Sequence, residues 1–252
     1  MAHDTQRSER FALADLHGLP ECRADLRLCF YTQVAAGQQQ RGLKLPGERR
    51  VTTGVSTRSL LPAVKTAFQR SKAHRTGHSH QLTLDLNTVN EYLRLSERNR
   101  VISYTRKVQP YPDHPDRFDY WEQVLCRDSV CGRCYWEIEW SGLFGVFVSL
   151  SYKRIRRKGW GDECWFGYND QCWSLFCSSS SYSFRHHKIE TKLPVESTSR
   201  RIGVYVDHSA GFLFFYSISG DTMILIHTVQ TTFTQPLYPG FKIYRGSSVK
   251  LC

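Results

Sequence analysis

The sequence contains no long apolar run of the kind that crosses a membrane. A membrane-spanning helix needs about 18 or more consecutive apolar residues, and no stretch of this chain approaches that length. The most apolar early patch, residues 26–36, is interrupted by Arg27 and Gln33 and starts too far from the N-terminus for a signal peptide. The sequence therefore predicts a chain without a membrane span, and we expect a cytoplasmic location.

Tryptophan is absent from the first 120 of the 252 residues, and all six tryptophans follow. Residues 1–80 carry four aromatic residues, and no hydrophobic period persists there beyond about two helical turns. A segment with so few large apolar side chains cannot bury enough surface to offset its conformational entropy. We expect residues 1–80 to be a basic extension or linker with poor order, and the hydrophobic core to lie in the C-terminal part.

The net charge of +11 is unevenly distributed. Residues 1–80 hold 13 Lys and Arg against 6 Asp and Glu, which is +7 of the total. The excess therefore lies mainly outside the predicted core and says little about what the core region binds. Nucleic acid is a competing partner class on charge alone, but no RNA-recognition or helix-turn-helix signature accompanies the charge.

Catalytic and nucleotide-binding signatures are also missing. The sequence has neither the G-x-x-x-x-G-K-[ST] phosphate-binding loop nor the G-x-S-x-G nucleophile elbow. Asp207 and His208 are neighbours at a predicted strand end, where successive side chains point to opposite sides. We expect a protein without enzymatic activity and without a small-molecule cofactor.

Nine cysteines, an odd number without a secretory signal, predict reduced thiols. Cys126, Cys131 and Cys134 have a spacing at which some iron-sulfur proteins present three thiolates. Here Cys134 belongs to the inward face of a predicted strand and Cys126 ends an apolar strand, so the thiols are expected to point apart. We therefore predict no metal site.

One segment predicts a buried β-strand. Residues 132–142, G-R-C-Y-W-E-I-E-W-S-G, place Cys134, Trp136, Ile138 and Trp140 on one side of an extended chain. The same alternation sends Tyr135, Glu137 and Glu139 to the opposite face, which we expect to be wetter. Two indoles on one side imply a deep apolar core.

The remaining C-terminal sequence reads as short strands separated by turns, which is typical of an antiparallel sandwich or barrel. We expect residues 146–150 to pair with the tryptophan strand as a hairpin across residues 141–145. Three prolines in residues 109–115 predict an extended surface loop. Further strands are expected at residues 82–86, 92–95, 101–104, 124–126, 173–176, 202–206, 212–216, 223–226 and 249–252.

These motifs together resemble a PRY-SPRY (B30.2) domain over residues 81–252, with PRY at about 81–130 and SPRY at about 131–252. The PRY part is carried by L-T-L-D-L-N-T-V-N-E-Y-L-R-L-S at 82–96. The SPRY part is carried by residues 132–142, by I-G-V-Y-V-D-H-S-A-G-F-L-F-F-Y at 202–216 and by P-L-Y-P-G-F at 236–241. Residues 110–119 and 166–177 resemble the version that ends NOD-like receptors, tripartite-motif proteins and stonustoxin-type proteins of teleost fish.

The resemblance implies an all-β fold, a bent antiparallel β-sandwich of the concanavalin-like jelly-roll type. It also implies recognition of a protein ligand through variable loops at one end of the sandwich. The expected role is innate-immune sensing, or substrate binding in a tripartite-motif-type ligase. Residues 1–80 offer only Cys22 and Cys29 as cysteine ligands for a RING. The alternatives are a basic nucleic-acid-binding protein and a fragment of a stonustoxin-like pore-forming protein.

Three loops are predicted to form the recognition surface. The first and second offer aromatic and cationic side chains: Tyr111, His114, Arg117 and Phe118, then Arg154, Arg156, Arg157 and Trp160. The third follows Trp173 and contributes Phe176, Ser178, Tyr182, Phe184, Arg185 and His186. Phe118 also fits a position beneath the sheet, and the charged run at 153–158 also fits a solvated turn.

Overall fold

The structure is a computed structural model, and it describes residues 66, 69–73, 75, 81–130, 132–194 and 198–252. Thirteen β-strands and one short 3₁₀ helix, Asp162–Cys164, occur in the described residues from 81 onwards. The strands are β1 Leu93–Ser96, β2 Val101–Tyr104, β3 Gln123–Leu125, β4 Arg133–Ser141, β5 Val146–Tyr152, β6 Cys172–Cys177, β7 Tyr182–His186, β8 Ile189–Leu193, β9 Arg201–Asp207, β10 Phe212–Ser219, β11 Thr222–Gln230, β12 Leu237–Ile243 and β13 Ser248–Leu251.

The strands form two antiparallel sheets. The seven-stranded sheet has the order β1-β2-β13-β4-β9-β10-β11, and the six-stranded sheet has the order β3-β12-β5-β6-β7-β8. The inner faces of the two sheets share one apolar core, which includes Trp136, Trp140, Leu150 and Phe241. This arrangement confirms the predicted all-β antiparallel sandwich.

Strand β4 supplies the centre of this core, as its alternation predicts. Trp136, Ile138 and Trp140 are each at most 3% exposed. Full burial of an apolar side chain stabilises the fold by about 1.5–3 kcal/mol, so these three residues are a substantial part of the driving force for folding.

The predicted hairpin between β4 and β5 is wrong, because the two strands lie in different sheets. Strand β4 pairs with β13 and β9, whereas β5 pairs with β12 and β6. Residues 142–145 instead carry the chain from one sheet to the other, with Gly142 and Gly145 at positive φ. Both sheets bury the face that points to the common core, so alternation alone does not distinguish a hairpin from a crossing between sheets.

The expectation of a wet outer face on β4 is also wrong for two of its three residues. Tyr135 is 1% exposed and Glu137 is 5% exposed, whereas Glu139 is exposed. Tyr135 belongs to a second apolar layer on the outside of the seven-stranded sheet, and Glu137 lies on the same face. The members of this layer are Tyr135, Tyr205, Phe212, Phe214, Tyr216, Ile218 and Met223.

Part of the predicted N-terminal extension contacts this second layer. Residues 66, 69–73 and 75, called here the helical segment, are helical, and Ser71 Oγ lies 3.0 Å from Tyr216 Oη. These residues thus have polar partners on the sheet, and the expectation of poor order for residues 1–80 stays a prediction. The rest of residues 1–80, with Cys22 and Cys29, lies outside the described part of the chain.

Several strand assignments differ from the sequence pattern. Residues 82–86 form only an isolated bridge, Leu84 to Cys126, instead of a strand. Strand β7 lies inside the predicted third loop, and β8 and β12 were not predicted. Strand β8 is an edge strand with exposed side chains on both faces, and Leu193 is its one buried residue.

Candidate functional site

The outer face of the six-stranded sheet aligns aromatic and cationic side chains in rows across its strands. In one row Lys242 pairs with Phe147, Phe147 with Phe176, and Phe176 with Ser183. Neighbouring strands lie about 4.7–4.9 Å apart. Residues far apart in the sequence therefore become direct neighbours on this face.

The adjacent row consists of small residues, Gly240, Ser149 and Ser174, and ends at Arg185. The loop from β5 to β6 packs onto this row. A Cβ atom on Gly240 would lie 2.8 Å from the Phe166 ring, so only glycine leaves room for the loop.

The same loop is fastened to the sheet by Gln123 on β3. Its amide nitrogen donates to the carbonyl of Cys164 over 2.8 Å, and its amide oxygen accepts from the backbone nitrogen of Phe166 over 2.8 Å. Both bonds are buried, so the loop is a fixed part of the surface.

Six partly exposed aromatic residues lie on this face, and we call them the aromatic shelf. Ring centroids are 4.9 Å apart for Tyr120 and Trp121, 4.3 Å for Trp121 and Trp165, and 3.8 Å for Trp165 and Tyr168. Phe176 and Tyr244 extend the shelf across the sheet, with their centroids 6.1 Å apart. Stacked and edge-on rings at these distances stabilise each other.

Arg185 lies between the rings of the shelf. Its guanidinium carbon is 5.1 Å from the Phe147 ring centroid, 5.5 Å from that of Tyr168 and 5.8 Å from that of Phe176. Nη1 donates to Tyr168 Oη over 2.9 Å, and Nη2 lies 3.0 Å from a carboxylate oxygen of Glu190. The cation is thus held in one orientation, with 16% of its side chain exposed.

Lys242 lies beneath the shelf with its side chain 2% exposed. Its ammonium is 4.1 Å from the Tyr244 ring centroid, 5.3 Å from that of Trp121 and 5.6 Å from that of Trp165. Burial lowers the pKa of Lys242 to about 8, and Glu122, 3.7 Å away, opposes that shift. The amine is still mostly protonated at pH 7, and the cation attracts the faces of the three rings.

The first predicted loop is mostly a packed structural element. Phe118 is 1% exposed and packs edge-on against Phe166, with the ring centroids 5.5 Å apart. Arg117 is 8% exposed and donates to three backbone carbonyls, that of Val89 over 2.6 Å among them. Tyr111 Oη donates to the carbonyl of Leu93 over 2.9 Å. The prediction that Arg117 and Phe118 face a ligand is therefore corrected: both are buried.

In the second predicted loop, side chains that are buried against the domain alternate with exposed side chains. Arg157 is 8% exposed, and its guanidinium lies over the Phe118 ring at 4.7 Å, so its assignment to the recognition surface is also corrected. Trp160 is 75% exposed, and Arg154 and Arg156 are exposed beside it. The surface part of this loop is therefore cationic with one large apolar side chain.

Hydrogen bonds join the first two loops to each other. The backbone nitrogen of Gly159 donates to Asp119 Oδ1 over 2.9 Å, and Lys158 Nζ donates to the carbonyl of His114 over 3.2 Å. His114 is half-buried at this junction. Since Tyr120 directly follows Asp119, the cationic loop borders the aromatic shelf.

The third predicted loop is divided between the core and the surface by the alternation of β7. Tyr182 and Phe184 point into the core and are 1% and 4% exposed, so their prediction as ligand anchors is corrected. Arg185 faces the shelf, and Phe176 on β6 belongs to it.

His186 and Ser178 lie at the margins of the predicted third loop. The His186 ring stacks on Trp173 with the centroids 5.0 Å apart, and burial lowers its pKa. Ser178 forms a turn with Ser181, in which its Oγ donates to the Ser181 carbonyl over 2.9 Å.

Sequence reasoning missed one exposed apolar pair at the margin of the shelf. Leu143 and Phe144 are 83% and 63% exposed at the crossing between β4 and β5. The next residue, Gly145, lies so close to β6 that a Cβ atom there would be 2.9 Å from Phe176 Cζ. Two bulky apolar residues between two glycines are the available signal in the sequence, and the hairpin prediction misses it.

The described part of the chain shows no cluster of three or more His, Cys, Asp or Glu side chains placed to hold a metal ion. Cys131 of the three cysteines at 126, 131 and 134 lies outside that part, and Cys126 is a buried free thiol. Among the same residues, no helix is long and apolar enough to cross a membrane.

Two sequence families and several known proteins are similar in sequence to this chain. The sequence model of the PRY family, described as the SPRY-associated domain, matches residues 82–130, and that of the SPRY domain matches residues 133–252. Stonustoxin subunit alpha of Synanceia horrida is 38% identical over 165 residues, which are 64% of this chain and 23% of the toxin subunit. Tripartite motif-containing protein 16 of Mus musculus is 40% identical over 162 residues, 64% of this chain and 29% of that protein.

Two solved structures have folds similar to that of this chain. The stonustoxin structure superposes with a TM-score of 0.67 at 33% identity and covers 72% of this chain and 30% of the toxin chain. The crystal structure of the TRIM65 PSpry domain superposes with a TM-score of 0.63 at 27% identity, covering 76% of this chain and 96% of that domain. The matched region thus spans less than a third of the two curated relatives and nearly all of an isolated domain.

Proposed function

This chain belongs to the PRY-SPRY (B30.2) family, whose domains are protein-interaction modules, and we propose that it binds a protein partner through the aromatic shelf. The observation that carries the proposal is the set of stacked, partly exposed rings around Arg185 on the outer face of the six-stranded sheet. Aromatic residues and arginine are the side chains that dominate binding energy at protein interfaces.

Pre-ordering of the shelf supports this proposal. Tyr168 is held by Arg185, Trp165 lies between Trp121 and Tyr168, and Lys242 lies beneath. Fixing a flexible side chain on binding costs about 0.5–1.5 kcal/mol. Rings that are already fixed avoid most of this cost, so the surface is suited to specific binding.

Two exposed groups at the margin supply additional contacts in this proposal. Leu143 and Phe144 offer apolar surface directly before Gly145, which packs on Phe176, and Trp160 does so directly after Gly159, which is hydrogen-bonded to Asp119. Arg154 and Arg156 beside Trp160 favour a partner with acidic residues at the corresponding edge, because complementary charge accelerates association and orients the partner.

The finer role that we propose is recognition in innate-immune sensing, or substrate binding for a tripartite-motif-type ligase, in the cytoplasm. Similarity to tripartite motif-containing proteins 16 and 14 of Mus musculus supports it. PRY-SPRY domains are generally non-catalytic, so in this proposal any transfer chemistry belongs to another domain or protein. The similarity to stonustoxin subunits leaves a pore-forming fragment as the competing role, which liposome leakage tests directly.

The proposal is tested by capture of a partner on the full-length chain. Lysate from stimulated fish cells is passed over the wild-type protein and over a triple variant, Leu143→Ser, Phe144→Ser and Trp160→Ala. Ile224→Ser is the matched control, because Ile224 is 46% exposed on β11 of the other sheet. We expect one protein that the wild type and the control retain and the triple variant loses.

The captured protein is then purified and titrated against each variant. A loss of about 2 kcal/mol, or about thirtyfold in Kd, is expected for a hot-spot cluster. Equal affinity of the triple variant and the wild type would contradict binding at the shelf margin. Retention of nucleic acid that nuclease or high salt removes would favour the nucleic-acid alternative.

A further inference from the structure

The outer face of the seven-stranded sheet contains two buried carboxylates. The side chain of Glu137, on β4, is 6% exposed, and that of Asp207, at the end of β9, is 4% exposed. A buried charge is costly unless a counter-charge and hydrogen bonds compensate it. Their partners are therefore informative about what this face is built to hold.

Each carboxylate is paired with one arginine from the sheet and one from the helical segment. Glu137 binds Arg201 of β9 and Arg75 of the helical segment, whose Nε lies 2.7 Å from Glu137 Oε1. Asp207 binds Arg133 of β4 over 2.9 Å and lies 3.7 Å from Arg70 of the helical segment.

Further polar contacts fix the helical segment on the same face. Ser71 is fully buried, with its hydroxyl 3.0 Å from Tyr216 Oη. Arg75 Nη2 donates to the carbonyl of Gly220 over 2.7 Å. Tyr135 Oη donates to Glu137 Oε1 over 2.6 Å, which orients the carboxylate that Arg75 binds.

We propose that the outer face of β4, β9 and β10 is a docking surface for a cationic helix, and that the helical segment of this same chain occupies it as a releasable latch. Charge complementarity supports this occupant, because the segment contributes Arg70 and Arg75 to two sheet carboxylates. Each carboxylate also has its own sheet arginine, so neither is left unpaired when the segment leaves.

The latch adds to the proposed function but does not depend on it. The segment is docked on the seven-stranded sheet, whereas the aromatic shelf lies on the six-stranded sheet. The helical segment therefore lies on the side of the sandwich opposite the shelf. The latch and the proposed partner site use different faces of one sandwich.

Trypsin tests the latch, because Arg70, Lys72 and Arg75 are themselves cleavage sites within the segment. The full-length chain is digested briefly at 0.1 M NaCl, and cleavage after Lys72 is quantified by mass spectrometry. The wild type is compared with Arg75→Gln, with Tyr216→Phe, which removes one uncharged hydrogen bond, and with Arg98→Gln, an exposed arginine of the β1–β2 loop, as control.

We expect Arg75→Gln to accelerate cleavage after Lys72 at least tenfold, Tyr216→Phe to do so less, and Arg98→Gln to match the wild type. Raising NaCl to 1 M is expected to accelerate wild-type cleavage at this bond only modestly, because salt screens the largely buried Arg75–Glu137 pair much less than an exposed pair. Tryptophan-fluorescence melting of each variant separates local release from global unfolding.

Equal cleavage of Arg75→Gln and wild type, with both folded, would overturn the latch. Light scattering of the wild type gives its oligomeric state and so shows whether the segment is docked on its own chain or on a second copy. A monomer supports docking within one chain, whereas a dimer whose segment stays protected would overturn it in favour of exchange with a second copy.

Discussion

Arg185 donates a hydrogen bond to Tyr168 over 2.9 Å and thereby joins strand β7 to the loop between β5 and β6. The same guanidinium is also paired with Glu190 on β8. One side chain thus connects three separate parts of the chain at the edge of the aromatic shelf. Its substitution is expected to affect the order of the shelf as well as stability.

Replacement of Arg185 by Lys is expected to lower the free energy of unfolding by about 1–3 kcal/mol, because hydrogen bonds to charged groups contribute about that much and an ammonium cannot reproduce the guanidinium fork. Urea denaturation measures the loss, and near-ultraviolet circular dichroism reports the stacking of Trp165 and Tyr168. Lys192→Ala, an exposed lysine on β8, is the control. Unchanged stability and unchanged dichroism in Arg185→Lys would show that Arg185 does not order the shelf.

His227 is expected to make stability depend on pH. Burial lowers its pKa to about 4, from an ordinary value of 6.5, and its ring lies 4.2 Å from that of Phe184. The unfolded chain therefore binds a proton that the folded chain excludes. The stabilisation is complete above pH 6.5 and is lost as the pH falls towards 4, by about 1.4 kcal/mol per pKa unit.

Urea denaturation between pH 7.5 and 4.5 measures this contribution. His227→Gln is expected to show a shallower decline than the wild type, whereas exposed His187→Gln is expected to follow the wild type. Parallel curves for His227→Gln and wild type would contradict the assignment.

Lys242 has a pH dependence of the same sign at higher pH. Its pKa is lowered to about 8 by burial, so the folded chain loses its proton before the unfolded chain does, and stability rises between pH 8 and 10.5. Relative to Lys242→Met, the wild type should gain about 2 kcal/mol between pH 7.5 and 9.5. The difference between the two unfolding free energies at each pH is the measurement, since it cancels the titration of tyrosines and cysteines. Lys250→Met, whose lysine is 50% exposed, should show no such difference.

Gly145 tests how closely the crossing between the sheets packs on the shelf. It has φ +79°, and a Cβ atom there would overlap the carbonyl oxygen of Cys177 and lie 2.9 Å from Phe176 Cζ. Gly132 has φ +64° but open space around it, so Gly132→Ala should cost only the strain of about 1–2 kcal/mol.

Gly145→Ala is expected to cost about 1–3 kcal/mol more than Gly132→Ala, because a clash with backbone adds to the same strain. Chemical denaturation of both variants gives the difference. Equal losses would mean that the crossing moves away from β6 without cost.

Much of the fold was predictable from local pattern. The alternation of Trp136, Ile138 and Trp140 correctly predicts the inner face of β4, and the motifs at 202–216 correctly predict β9 and β10. The same rule applied to residues 182–186 would have placed Tyr182 and Phe184 in the core and Arg185 outside. That part of the binding prediction is wrong because the segment is strand β7 and not a loop.

By itself the sequence determined that this chain is an antiparallel β-sandwich with a tryptophan-rich core, because a period-two pattern records which side chains of a strand are buried. It did not determine what buries them. Only the tertiary structure decided that β5 joins the other sheet, that the helical segment covers Glu137, and that residues from Tyr120 to Tyr244 form one shelf. These features depend on contacts between distant strands, whose pairing and register a local pattern does not encode.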